Sequence, residues 1–131
     1  MLSRAHEAQI KPLTAFASEE LFGATITRLL SREQLPMVGF DHVRIPRGAV
    51  LAPHVHETSA SFIYVLAGGA VVTLAGKPYP ARVGDTIYVP PGVSHGFSTP
   101  DAEVELLSVQ SPPIYPEESA PDITFAPSAG A

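Results

Sequence analysis

Apolar and polar positions alternate along this chain in short runs punctuated by glycine and proline. Residues 24–30 (ATITRLL) alternate and are rich in β-branched side chains. Residues 38–45 do the same and close on Pro46-Arg47-Gly48, and residues 61–67 (SFIYVLA) form the strongest run. Gly68-Gly69 reads as a two-residue hairpin into residues 70–74. Gly76-Lys77 marks a further turn, and residues 77–83 read as an edge strand interrupted by Pro78 and Pro80. Residues 86–89, 94–98 and 104–109 complete the set, and a helical turn is expected only around residues 18–21. Short strands at this rhythm predict an all-β fold, a small antiparallel β-barrel of two packed sheets. There is no alternation with helical patterns, which argues against a parallel α/β sheet. The barrel is expected to be one domain over residues 22–110. An irregular segment, 1–21, precedes it, and a proline-rich tail, 111–131, follows and lies over the body.

Composition narrows the function. A chain of 131 residues suits one domain with one core. Its 45 % hydrophobic and 16 % charged residues place it among globular proteins rather than disordered ones. A net charge of −5 with scattered Lys and Arg argues against nucleic acid and anionic membranes as partners. No run reaches the roughly 18 apolar residues of a membrane helix. The first twenty residues lack the apolar core of a secretory signal, so a cytoplasmic location is expected. The chain has no cysteine, so a bound metal must use histidine, carboxylate or water.

The chemistry-bearing stretch is Pro53-His54-Val55-His56. In an extended segment side chains alternate, so His54 and His56 share a face, and two imidazoles on one face can hold one divalent ion. The source of a third nitrogen is His95, delivered by the rigid turn Pro90-Pro91-Gly92. Alternation places Phe97 and Thr99 with His95, and Ile63 with Ser61. These four are the expected pocket or supporting residues around the metal, in a mostly apolar cavity with a few polar points.

These residues resemble the cupin family. Gly48, His54, His56 and Gly68 match the first cupin motif, and Gly84, Pro90, Gly92 and His95 match the second, at the family's spacing. The resemblance implies a jelly-roll barrel, a metal near its mouth held by histidines from two strands, and a homodimer. The apolar face of Phe62, Tyr64 and Leu66 offers surface for that dimer. Two positions depart from the motifs. The glutamate of the first, the usual fourth ligand, falls on Ser61, and the asparagine of the second falls on Thr99. Glu57 follows His56 directly, and alternation aims it away from the metal. The expected site is therefore His54, His56 and His95 with one divalent ion per chain, iron(II) first, with manganese, nickel or zinc as alternatives.

Three neutral ligands leave the full charge of that ion uncompensated, which favours a small anionic substrate chelating through oxygen. Ligands on one face of an octahedron leave up to three open positions, the arrangement of an iron(II) dioxygenase. A redox-inert ion would instead suit an isomerase or lyase acting on a sugar acid or carbonyl compound. A cupin that binds a small molecule without turnover is the third reading.

Overall fold

The computed structural model describes residues 4–116 and 120–125. The rest of the N-terminal segment and of the proline-rich tail lies outside the described residues. Two short 3-10 turns, Arg4–His6 and Leu13–Ala15, precede the strands. No described helix is long and apolar enough to cross a membrane. The strands are β1 (Ser18–Leu21), β2 (Ala24–Arg28), β3 (Gly39–Ile45), β4 (Val50–Val55) and β5 (Ala60–Leu74). They continue as β6 (Lys77–Arg82), β7 (Thr86–Val89), β8 (His95–Ser98), β9 (Val104–Ser111) and β10 (Thr124–Phe125). All their pairings are antiparallel. One sheet runs β1-β2-β3-β9-β5-β7 and the other β6-β5-β8-β4-β10. This is the all-β jelly roll that the strand rhythm and motifs predict.

Strand β5 belongs to both sheets, and this shapes the barrel. Its first half pairs with β9 and β7, its second half with β6 and β8. Ser61, Ile63 and Val65 point inward and are buried, whereas Phe62, Tyr64 and Leu66 point out and are 51, 42 and 37 % exposed. The register against β9 slips between Val65 and Ala67. Beyond the slip the inward set moves to even positions, with Val72 buried and Ala70 and Leu74 packed against the core. A bulge that advances the phase by one residue bends the strand from one sheet into the other.

Gly68-Gly69 thus runs on within β5, just past the phase break, and is not the expected hairpin. The true two-residue turn lies one place earlier than Gly76-Lys77, at Ala75-Gly76, where both φ angles are positive, as a primed hairpin turn requires. The helical turn expected near residues 18–21 is instead β1, paired with β2, and Glu20 accepts a hydrogen bond from the Thr25 hydroxyl across that pair. Pairing in the sheet outweighs the weak local helical signal there. Regular structure therefore begins four residues before the expected start of the barrel. At the other end, β9 runs on to Ser111 and the tail supplies β10.

The space between the sheets is filled by Ile45, Val65, Val89 and Val104, all essentially inaccessible, with Ile63, Val72, Ile87, Phe97 and Leu106 around them. Each such aliphatic side chain contributes about 1.5–3 kcal/mol by leaving water.

Gly68 carries the sheet switch. Its φ is +72°, and a Cβ there would collide with the backbone carbonyl of Glu103, just before β9. Gly48 also has a positive φ, +79°, but nothing lies near its missing Cβ. Gly68→Ala should therefore cost at least about 3 kcal/mol, combining backbone strain with displacement of a neighbouring main chain. Gly48→Ala should cost about 1 kcal/mol. Thermal unfolding of the two variants tests this ordering, and equal losses would contradict it.

Candidate metal centre

His54 and His95 face each other directly across the β4–β8 pair. His56 lies just past the end of β4, and its carbonyl accepts the N–H of Gly92 at 2.8 Å. The same turn is closed by the Val93 N–H on the Pro90 carbonyl. One main-chain bond thus ties the turn that delivers His95 to His56. The ring centroids are 4.3 Å apart for His54–His95, 4.8 Å for His56–His95 and 5.1 Å for His54–His56. One nitrogen from each ring lies within 4.8 Å of the other two. Three nitrogens on one ion at about 2.1 Å would sit roughly 3 Å apart, so small side-chain rotations bring the set to bonding distance.

Hydrogen bonds aim the rings. His54 Nδ1 meets the carbonyl of Ala52 at 2.8 Å, His95 Nδ1 that of Val93 at 3.0 Å, and His56 Nδ1 that of Asp122 at 2.6 Å. A carbonyl oxygen only accepts, so each Nδ1 carries the hydrogen and each Nε2 keeps its lone pair. Burial lowers the pKa of all three rings below the ordinary histidine value. His95 falls to about 4, through burial and then the neighbouring His54. Three neutral imidazoles presenting Nε2 to a common point form a donor set that fits a divalent metal.

The histidines line a cavity of about 70 Å³ with Ser61, Ile63 and Phe97. A wider groove of about 800 Å³ beside the N-terminal segment holds no histidine, although Asp41, Gln110 and Tyr115 line both spaces. Ser61 is 2 % exposed, and its Oγ is the one buried side-chain polar atom without a partner among the described residues. An orphaned buried hydroxyl lining the same cavity as three aimed imidazoles fits a site completed by an ion and its ligand.

One expectation is corrected. Thr99 does not face the cavity. Its Oγ1 donates to the Pro46 carbonyl at 2.6 Å and accepts the Ala49 N–H at 3.0 Å, so it clasps the loop between β3 and β4. Glu57 is exposed, and no carboxylate joins the three histidines among the described residues. His42 is buried but lies outside the cavity, with Nε2 3.8 Å from Glu105.

Sequence reasoning missed the polar wall. Asp41, Ser108 and Gln110 line the cavity from β3 and β9, with Asp41 opposite Ser108, and Ser61 opposite Gln110. Gln110 Nε2 donates to Asp41 Oδ2 at 3.0 Å and to Ser108 Oγ at 2.7 Å. Burial raises the Asp41 carboxyl to about 6, against the Gln110 hydrogen bond and the charge of Arg28, which pull it down. Tyr115, also lining the cavity, is pushed up to about 12 by burial and by Asp41. The available signal was Arg44. Its guanidinium needs water and pairs with Glu103 and Glu105, which turns Asp41 and Val43 inward.

A two-sheet antiparallel barrel with histidines from β4, its end and β8 converging in a cavity between the sheets defines a class of metal-site proteins. The chain belongs to that class by family as well: the cupin domain model matches residues 41–110, and this chain is a cupin. It is 30 % identical over 76 residues to an uncharacterized protein of Methanocaldococcus jannaschii, a match covering 57 % of this chain and 61 % of that protein. Among solved structures it is similar to the polyketide cyclase RemF from Streptomyces resistomycificus. The TM-score is 0.77 at 20 % identity, covering 95 % of this chain and 89 % of that one. It is also similar to a predicted oxalate decarboxylase from Thermotoga maritima, with a TM-score of 0.72 at 24 % identity, covering 79 % and 98 %. These structural likenesses show the fold.

The lowered pKa values set a pH expectation. Protons compete for Nε2 only below the folded-state pKa, so metal affinity should hold through pH 6 and collapse as pH falls toward about 4. In the metal-free chain the unfolded state binds protons that the folded His95 refuses, so stability is full above about 6.5 and declines between that value and 4. Metal titrations from pH 7.5 to 4.5, with thermal unfolding of the metal-free protein, check both trends. An affinity midpoint at 6.5 would contradict the burial argument.

Ser61→Glu should place a carboxylate among the three imidazoles. Metal affinity should rise by about tenfold or more, because an anionic oxygen replaces a neutral hydroxyl. Affinity of the metal-loaded protein for oxalate should fall, because one open position and one unit of charge are lost. The two changes have opposite signs, so partial unfolding cannot mimic them. Calorimetric titration of metal and then oxalate reads both.

Proposed function

We propose that this cupin is a metal-dependent enzyme that moves a proton on a small, oxygen-rich, chelating substrate, with enolisation, isomerisation or cyclisation as the reaction class. Asp41 carries this reading, as a buried carboxyl in the same cavity as the three histidines, with a pKa raised to about 6, so that it is mostly ionised at neutral pH and can both take and return a proton. A divalent ion on His54, His56 and His95 would supply polarisation of a chelated carbonyl, making the adjacent C–H acidic. Asp41 would accept that proton and return it at a neighbouring atom, and Gln110 would hold its Oδ2 in place. A bound cation favours the ionised form of Asp41, the one that acts as base. Tyr115 keeps its hydroxyl proton and can donate to a substrate oxygen. Ser61, without a partner in the protein, offers a further hydrogen bond. The apolar remainder of the cavity, including Ile63, Phe97 and Leu106, limits water at the reacting atoms.

A second reading, an iron(II) dioxygenase, is supported by the absence, among the described residues, of a carboxylate joining the three histidines, which leaves room for both substrate and dioxygen. The fold neighbours include a polyketide cyclase, whose chemistry is compatible with the first reading.

The test is α-proton exchange into deuterated water, followed by NMR, for a panel of diketones, keto acids and hydroxy acids. Manganese- or zinc-loaded protein is used under argon. Metal-dependent exchange is expected, and Asp41→Asn should slow it by about 10²–10⁴-fold while metal affinity stays within about threefold. Exchange undiminished in that variant would remove Asp41 from the mechanism. Iron-dependent dioxygen uptake without anaerobic exchange would favour the second reading.

A further inference from the structure

The three ligand rings are not aimed by the same part of the chain. His54 and His95 each donate Nδ1–H to the carbonyl two residues earlier, so β4 and the turn before β8 orient them unaided. His56 donates to the carbonyl of Asp122, 66 positions further on. That carbonyl is held with unusual thoroughness. The Asp122 carboxylate accepts the Glu57 N–H on Oδ1 at 2.8 Å, and on Oδ2 the N–H groups of Thr58 and Ser59, both at 3.0 Å. The Thr58 hydroxyl adds a bond to Oδ2 at 2.9 Å. The Asp122 N–H donates to the Ile114 carbonyl at 2.8 Å. Burial opposes ionisation of this carboxyl, but the bonds from Thr58, Glu57 and Ser59 outweigh it and hold it well below the usual carboxylate range.

The residues gripped are the three that follow His56. One side chain thus locks the turn after the ligand, while the same residue's carbonyl receives the ligand's ring hydrogen. Around it, Thr124 and Phe125 pair with Val55 and His54. The Phe125 ring lies 5.5 Å from that of His54 and 4.9 Å from that of Phe22. Ile123 lines the cavity beside the histidines. The matched family domain ends at residue 110, so this clasp comes from outside it.

We propose that Asp122 is a positioning residue of the metal centre: by clamping the 57–59 turn it sets the tautomer and direction of His56, making the C-terminal segment a working part of the site. This rests on reading the three histidines as metal ligands. Without the clamp, His56 would be free to place its hydrogen on Nε2, the atom a metal needs bare. His54 and His95 would keep their own carbonyls and their aim.

The experiment uses the full chain and its Asp122→Ala and Asp122→Asn variants. Histidine side-chain ¹⁵N NMR on the metal-free proteins reports the tautomer of each ring, and cobalt(II) titration reports affinity. The parent should show Nδ1–H at all three rings. Asp122→Ala should shift His56 alone toward Nε2–H and weaken cobalt binding by about 10–100-fold. Asp122→Asn keeps an acceptor oxygen for part of the turn and should give the same selective change to a smaller degree, which keeps the test open if the alanine variant folds poorly. An unchanged His56 tautomer in a folded variant overturns the proposal. So does a tautomer change spread over all three rings, which would make Asp122 a general stabiliser. If the parent binds no cobalt, the metal reading fails, while the selective tautomer shift still decides what Asp122 does to His56.

Discussion

A carbonyl oxygen can accept a hydrogen bond and never give one, and three such oxygens set the state of this protein's site. Each faces the Nδ1 of one buried imidazole, so each ring must carry its hydrogen there and leave Nε2 bare. Burial adds the second half of the constraint by making the charged form of each ring unfavourable. Neutral rings with converging lone pairs repel each other little and bind a cation strongly. Protonated rings so close together would do neither. The pairing of β4 with β8, the turn at Gly92 and the return of the C-terminal segment can all be understood as means of holding these three carbonyls and three rings in register.

The sheet switch in β5 decides what else meets the histidines. Before the bulge, the inward residues of β5 face the inward residues of β9 in a mixed row, with Ser61 beside Gln110 and Ile63 beside Ser108. After the bulge, β5 turns to pair with β8, and Leu74 lies opposite His95. A single strand therefore contributes both to the polar wall and to the sheet that carries His54 and His95. That arrangement puts a titratable carboxyl, Asp41, in the same cavity as the three-histidine cluster without making it part of that cluster. The separation matters chemically. A carboxylate bound to an ion would lose most of its basicity, whereas burial raises the unligated Asp41 to about 6, against the Gln110 hydrogen bond.

Much of this was legible in the sequence because it is local. Alternation identified the strands around residues 24–30, 38–45 and 61–67, and motif spacing brought His54, His56 and His95 together. The misses have physical causes. The alternation phase breaks between Val65 and Ala67, next to Gly68-Gly69, and a bulge and a hairpin leave the same mark in a pattern of two; only the partner strand distinguishes them. Strand β1 has weak local preference and exists because β2 offers an edge. Thr99 shares its alternation set with His95 and Phe97, yet it sits where the chain leaves the strand, so its hydroxyl turns to the Pro46 and Ala49 main chain. His42 shares its alternation set with Phe40 and Arg44 and stays outside the cavity, although a histidine there suggests chemistry. The exposed Arg44 in the same set was the better guide to which face meets water.

Asp122 shows where pattern reading ends. It sits among prolines in a tail with no periodicity, and nothing within several residues of it suggests a role. Its importance comes from bonds to residues more than sixty positions away, which no window of sequence contains. The energetic logic is that a turn of three consecutive N–H groups, Glu57 to Ser59, has no strand to satisfy it at the barrel mouth. Left to water, that turn would be free to move, and His56 with it. A carboxylate gathers such a row of donors better than any neutral group, because each bond is charge-assisted. The motif glutamate that would have anchored this part of the barrel to the ion is Ser61 here. In this chain the anchoring of His56 runs instead through a carboxylate that never touches the site, and the negative charge is spent on the backbone rather than on the metal.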